Sequence, residues 1–177
     1  MPNVAYLSLG SNIEPEANLP AAVRLLTQLT TLAAISSVWE TAPLGVTSQA
    51  NFLNAAAVVE TDLTASALKE EVLEAIERQL GRVRQADKNA PRPIDLDIML
   101  FNEDILEVGQ RHIPDPEIIE RAFVAIPLAE IAPHYRHPEL GQTLAKIASR
   151  FETSGMRLRP EVSRVLAELV SYHEWHK

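Results

Sequence analysis

Apolar and polar positions switch between two periods along this chain, and the switches mark its elements. Val4 to Leu9 is a short apolar run closed by Gly10-Ser11-Asn12, which predicts a strand and a turn. Leu19, Val23, Leu26 and Leu29 then recur at helical spacing, with Asn18 placed to cap the helix and Pro20 in its first turn, where a missing N–H costs little. Leu32 to Thr41 is partly alternating and predicts a second strand, and Ala42 to Ala50, with Pro43 and Gly45, a loop. From Asn51 to Thr61 the period is two: Phe52, Asn54, Ala56 and Val58 share one face, Leu53, Ala55, Ala57 and Val59 the other. A helix starting at Thr64 carries Leu68, Val72, Ile76 and Leu80 on one stripe and ends at Gly81. After a loop with Pro91 and Pro93, Ile94 to Phe101 predicts another strand, with Asp95 and Asp97 on one face and Leu96, Ile98 and Leu100 on the other. Asn102 to His112 reads as a hairpin or irregular excursion. Short helices are expected from Pro116 past Arg121, over 142–150 and over about 160–173.

The order β-α-β-β-α-β, followed by a mostly helical part, predicts an α+β fold of ferredoxin-like type. Its mainly antiparallel sheet carries helices packed on one face, with extra helices at the C-terminal end. The 177 residues suggest one domain, here 1–155, with 156–177 as a C-terminal helical extension of the same domain after Ser154-Gly155. Composition narrows the setting. There is no cysteine, so disulfides and thiolate metal sites are excluded, which fits a reducing compartment. The start, Met1 to Tyr6, lacks a basic stretch before an apolar one. No apolar run approaches the roughly 20 residues that span a bilayer, and Phe123 to Ile131 is interrupted by Pro127 and Glu130. A cytoplasmic protein without membrane contact is expected. A net charge of −8 argues against a nucleic-acid partner.

One segment departs from that average. Arg82, Arg84, Lys88 and Arg92 stand against Asp87 alone, a small basic island suited to a small anionic ligand or to a solvated loop. Without a phosphate these cations are expected to repel one another. Next in the chain come Asp95 and Asp97, two carboxylates about 7 Å apart on one strand face. An isolated pair of this kind is often only the wet face of a strand. Beside an arginine-rich loop it takes on the layout of a metal–nucleotide site, with carboxylates for a hard cation and guanidiniums for phosphate oxygens. No phosphate-binding glycine loop or zinc-like histidine spacing occurs, and His112, His134, His137, His173 and His176 form no catalytic grouping. Phe52 and Asn54 share a strand face that suits either a flat heterocycle or the core. Physical chemistry reaches metal-assisted phosphoryl transfer and no further.

Lys88-Asn89-Ala90-Pro91-Arg92-Pro93-Ile94-Asp95-Leu96-Asp97-Ile98-Met99 resembles the signature of the hydroxymethyldihydropterin pyrophosphokinases. Leu9-Gly10-Ser11-Asn12, Glu40-Thr41-Ala42-Pro43-Leu44-Gly45, Asn51-Phe52-Leu53-Asn54-Ala55, Gly81-Arg82-Val83-Arg84 and Arg121 to Pro133 resemble further blocks, so the likeness covers roughly 4–150. The resemblance implies a magnesium-dependent diphosphokinase that moves pyrophosphate from ATP to a pterin alcohol in folate synthesis, releasing AMP, as a monomer or homodimer. It makes Asp95 and Asp97 ligands of two Mg2+ ions and Arg82 and Arg92 catalytic. Phe52 and Phe123 sandwich the pterin, and Asn54 with the backbone of Thr41, Ala42 and Leu44 reads its amide edge. Arg84, Ile98 and Arg121 are further ATP contacts. Three positions depart from the family pattern. Asp115 stands where a histidine is common and is expected to repel phosphate, Asn89 replaces a frequent tryptophan, and Gln110 replaces an arginine, with Arg111 beside it. A relative that binds without efficient catalysis, or another magnesium-dependent phosphotransferase, stays open as an alternative. Beyond 155, Val162, Val165, Leu166, Leu169 and Val170 form an apolar stripe for packing.

Overall fold

The computed structural model describes residues 1–45 and 48–175, with side chains described through residue 170. Val46 and Thr47 of the expected loop, and His176, lie outside the described residues. In chain order the elements are β1 (Asn3–Ser11), α1 (Pro15–Leu29), β2 (Thr31–Ile35), β3 (Trp39–Thr41), β4 (Phe52–Thr61) and α2 (Ala65–Ala67). A π-helical stretch Leu68–Leu73 leads into α3 (Glu74–Gln79), followed by β5 (Asp95–Phe101), β6 (Leu106–Val108), β7 (Arg111–Ile113) and α4 (Glu117–Glu120). The chain ends with α5 (Ala122–Ile131), α6 (Leu144–Ala148), β8 (Met156–Leu158) and α7 (Pro160–Trp175).

The main sheet runs β5-β1-β4-β3-β8, with β2 also on β4, and its ladders are antiparallel. The expected single strand over Leu32 to Thr41 is two strands on β4, broken at Ser36-Ser37-Val38. The break keeps its hydrogen bonds. The Ser36 amide donates to Ala56 O at 2.9 Å, and Ser36 Oγ accepts from the Ala56 amide at 2.8 Å. Allowing for that break, the β-α-β-β-α-β order and the antiparallel α+β architecture hold.

Helix α1 starts at Pro15, three residues before Asn18, because the fixed φ of proline suits the first helical position. Asn18 is therefore inside the first turn and donates back to Ile13 O at 2.6 Å, while Pro20 sits within the helix. The helix expected from Thr64 begins one residue later, with Thr64 as its cap, its Oγ1 accepting from the Ala67 amide. The π-helical stretch then turns Leu68, Val72 and Leu73 all into the core.

Helices cover both faces of the sheet, where one was expected. On one face Leu7, Leu9, Leu53, Ala55, Ala57, Val59, Leu96 and Ile98 pack against α1, the 65–79 helix and α7. On the other, Tyr6, Ala56, Met99 and Leu100 pack against α5 and α6. A β-bulge in β5 adds Leu100 to the second core. Tyr6 pairs with Leu100 and Leu7 with Ile98, so Met99 is the extra residue. Beyond it the alternation reverses, and Leu100 joins the face of Asp95 and Asp97 instead of the one opposite. That face is apolar at one end, under α5, and polar at the other.

The extension beyond 155 begins as a strand, with β8 pairing Met156 with Thr41 and Arg157 with Glu40. Helix α7 then returns over the first core, burying Val162 and Leu166, with Leu169 and Val170 partly covered and Val165 left outside. Ser163 Oγ accepts from the Val38 amide at 2.8 Å, serving a backbone group that the broken strand leaves open. Leu166→Ala should therefore destabilise the whole fold by about 2–5 kcal/mol, the range for a fully buried leucine. Denaturant unfolding should show one cooperative transition at a lower midpoint. A variant that unfolds like the parent would mean the tail is only loosely attached.

Candidate functional site

The register of the sheet sets the floor of a cleft. Asp95 of β5, Gly10 of β1, Asn54 of β4 and Trp39 of β3 lie in one transverse row, with Asp97, Ser8 and Ala56 in the next. Neighbouring strands are about 4.8 Å apart, so Asp95 and Asn54 are about 10 Å apart across the floor. Gly10 between them keeps that floor open. A Cβ there would come within 3.2 Å of Asn54 Oδ1 and 3.8 Å of the Phe52 ring. The cleft holds about 640 Å³ and is walled by Thr41, Ala42 and Leu44, the 82–92 loop, and Arg111, Glu117, Arg121 and Phe123.

At the β5 end the charges are tightly paired. Arg82 Nη1 donates to Asp95 Oδ1 at 2.6 Å and also to Glu77 Oε2, and Arg92 Nη1 donates to Asp95 Oδ2 at 3.0 Å. Burial pushes the Asp95 carboxyl up, but the two guanidiniums outweigh it and hold the group below its ordinary value. Among the described residues Asp97 pairs with one cation, Arg111, whose Nη1 donates to Oδ1 at 3.2 Å. Burial raises the Asp97 carboxyl well above the usual aspartate range, repulsion from Asp95 adds to that, and Arg111 only partly offsets it. Both side chains still reach the cleft, at 26% and 24% exposure. Glu77, buried beneath, accepts from the Leu96 amide at 3.1 Å. Burial raises its carboxyl, with Arg82 opposing.

The basic loop is better anchored than its charges suggest. Arg82 and Arg92 share Asp95 as counter-charge and do not simply repel. Asn12 holds the Arg92 backbone on both sides, accepting from its amide at 2.8 Å and donating its own amide to Arg92 O at 3.2 Å. The Asn12 side chain also donates to Gln49 Oε1 at 3.0 Å, and Gln49 donates to Asn89 O, so the 42–50 and 82–92 loops are tied together. Arg92 lies 6.0 Å over the Phe52 ring.

Nearly all the residues singled out from sequence converge here. Thr41, Ala42, Leu44, Phe52, Asn54, Arg82, Arg84, Arg92, Asp95, Asp97, Arg121 and Phe123 all line the cleft. Asn54 Nδ2 donates to Thr41 Oγ1 at 2.8 Å, which fixes the amide with its oxygen toward Gly10. Arg121 carries a buried Nε without a partner among the described residues, and Arg84, 70% exposed, pairs with Glu74. Ile98 is the exception. Its side chain points through the sheet into the opposite core, because it alternates with Asp97. Asp115 does not face phosphate as expected. Its side chain is 3% exposed and accepts from Arg111 Nη2 at 2.6 Å and Nε at 3.1 Å, so its charge is spent inside the protein. Sequence reasoning missed Glu77, which reads as another position on a solvated helix, and Asn12, which reads only as a turn residue.

Residues 6–133 match the pattern of the 7,8-dihydro-6-hydroxymethylpterin-pyrophosphokinase (HPPK) family, more than half of the chain. The chain belongs to this family. It is 46% identical over 134 residues to the 2-amino-4-hydroxy-6-hydroxymethyldihydropteridine pyrophosphokinase of Bacillus subtilis, covering 74% of this chain and 79% of that one. It is 37% identical over 158 residues to the enzyme of the same name from Pseudomonas aeruginosa, covering 88% and 96%. Among solved structures, the Plasmodium falciparum HPPK-DHPS wild type superposes with a TM-score of 0.66 at 16% identity. That match covers 85% of this chain and 45% of the other, and it speaks to the pyrophosphokinase fold alone. The chain thus spans less than half the length of that two-part protein.

Within this pyrophosphokinase cleft, linkage fixes the sign of one pH effect. A carboxyl held above its unfolded value of about 3.9 lets the folded state bind the proton more tightly. Its favourable contribution is complete below that value and is lost as pH rises through the folded pKa. Asp97→Asn should therefore raise the thermal midpoint of the magnesium-free protein at pH 7, with the gain vanishing near pH 4. Each kcal/mol is worth about 2–4 °C at this chain length. An asparagine variant no more stable than the parent at pH 7 would show that Arg111 fully compensates Asp97.

Proposed function

We propose that the chain catalyses magnesium-dependent transfer of pyrophosphate from ATP to 6-hydroxymethyl-7,8-dihydropterin, releasing AMP and the pterin pyrophosphate for folate synthesis. One observation carries this reading. A carboxylate pair flanked by arginines and an aromatic–carboxamide pair lie about 10 Å apart on one cleft floor, with only glycine between them.

At the pterin end, the rings of Phe52 and Phe123 offer apolar faces for a flat heterocycle. Asn54, held by Thr41, presents a fixed amide to its edge. That arrangement aims the hydroxymethyl group along the floor toward the phosphates. Its oxygen attacks the β-phosphorus, the bond from that phosphorus to the oxygen shared with the α-phosphorus breaks, AMP leaves with that oxygen, and the alcohol proton is lost to solvent. Charge builds on the phosphate oxygens as this happens, and Arg82 and Arg92 stand where they can neutralise it. Both must leave Asp95 to do so, and Glu77 below Arg82 keeps that guanidinium within reach. Arg121, with a buried Nε awaiting an acceptor, faces the same space.

The donor set suits magnesium. No group of three or more metal-ligating side chains occurs among the described residues, and magnesium needs only one or two carboxylates when substrate phosphates and water complete its octahedron. Asp95 and Asp97 would hold two such ions, which supply charge neutralisation and in-line alignment of the reacting oxygens. Among the described residues no helix is long and apolar enough to cross a membrane. A cysteine-free chain also suits the reducing cytoplasm, where we place the reaction.

The deciding experiment incubates the protein with ATP, magnesium and hydroxymethyldihydropterin and separates the nucleotides. AMP should form and chelation should stop it, whereas ADP would indicate a simple kinase and no product a binding-only relative. Asp97→Ala should lower the rate on the order of a thousandfold with the fold retained, and near-normal turnover would remove Asp97 from the metal site. Phe123→Ala should weaken pterin binding by about 1–3 kcal/mol, by analogy with base stacking, and ATP binding far less. Calorimetry with each ligand separates the two, and an equal loss for both would count against a pterin sandwich.

A further inference from the structure

We propose that Arg111 is a third phosphate-contacting arginine of this site and that Asp115 is the positioning residue that holds it there. The proposal rests on the nucleotide reading above and goes beyond it, because neither residue has a role in that reading.

The case begins with how unevenly Arg111 is bound. Nε and Nη2 both donate to one oxygen of Asp115, at 3.1 and 2.6 Å, while Nη1 reaches Asp97 at 3.2 Å. The grip of Asp115 is permanent. Its other oxygen accepts from the Glu117 amide at 2.9 Å, and its own amide donates to Met99 O at 2.9 Å, tying it to α4 and β5 at once. Buried at 3% exposure, it cannot leave with a ligand or take on water. Arg111 is 41% exposed and lines the cleft. One edge of its planar fork is therefore locked and the other is presented to the cleft. A guanidinium so fixed loses little freedom when it binds a further anion.

The Asp97 contact is the weaker one. At 3.2 Å it is the longest of the contacts between the two aspartates and their arginines, against 2.6 and 3.0 Å at Asp95. With Asp97 committed to magnesium, Nη1 of Arg111 keeps its place at the cleft wall and lacks an acceptor. The anion at hand is the triphosphate. In the free protein Arg111 thus neutralises Asp97, and in the loaded protein it contacts phosphate. The pair also accounts for an aspartate that sequence alone would place against phosphate: its charge orients an arginine.

Calorimetry with magnesium and an α,β-methylene ATP analogue, with AMP, and with pterin alone tests this on Arg111→Ala, Arg111→Lys, Asp115→Asn and the double variant. For Arg111→Ala the analogue should bind about 10–100-fold more weakly, the range for a lost charge-assisted hydrogen bond. AMP and pterin affinities should change less than threefold. Arg111→Lys should recover part of the loss, since it restores the charge and not the fork. Asp115→Asn should weaken the analogue in the same direction by less, and the double variant should be no worse than Arg111→Ala, as expected if Asp115 acts through Arg111. Should Asp115→Asn fail to fold, the two Arg111 variants decide alone. Unchanged analogue binding overturns the proposal, and so does equal loss for AMP and pterin, which is the mark of a merely structural role. Tighter analogue binding also overturns it and makes Arg111 a competitor for the metal site. A parent protein that binds pterin and forms AMP while the Arg111 variants match it refutes this inference alone. A parent that does neither refutes the function on which it rests.

Discussion

Two like charges held side by side on a half-buried strand are the constraint around which this molecule is arranged. Asp95 and Asp97 face the same way because a strand repeats every two residues, and both side chains are about three-quarters buried. Their repulsion is met by bringing cations from separate parts of the chain: Arg82 from the end of the 65–79 helix, Arg92 from the loop, and Arg111 from β7. Each is supported from behind, Arg82 by Glu77, the Arg92 backbone by Asn12 and Arg111 by Asp115. The three arginines are thus held on the two carboxylates at one end of the cleft.

The rest of the fold keeps that floor accessible at one end and closed at the other. The bulge at Met99 carries Leu100 onto the cleft-side face, where α5 covers it, and the cleft begins where that cover stops. Gly10 and Ser8 keep side-chain bulk out of the middle, so the charged end and the aromatic end share one continuous space. Beyond the matched region, 156–175 extends the sheet past Thr41 and seals the first core. Arg159 clamps that junction, donating to Glu40 at 2.9 Å and lying 3.3 Å from Glu16. The strand that carries Thr41, and through it the orientation of Asn54, is thereby backed by the last part of the chain.

Much of this was legible in the sequence because it is local. Alternation over Asn51 to Thr61, the helical stripe after Thr64, and Asp-Leu-Asp on a strand are properties of consecutive residues, and backbone geometry turns them into faces without help from elsewhere. The basic loop and its arginines were visible as charge, and the family signature joined them to the strand. These determine an antiparallel α+β fold and most of the cleft's lining. Tertiary structure decided what is not local. One extra residue in β5 moved Leu100 across the sheet into the second core, which α5 and α6 close. Pairing across long stretches of chain made Asn12 a clamp and brought Glu77, the neighbour of Arg82, under the Leu96 amide. Burial turned Asp115 from an expected repulsion into the anchor of Arg111. Each of these depends on which group stands opposite and on how deeply the pair is buried, and strand register and packing set both only once the chain has folded.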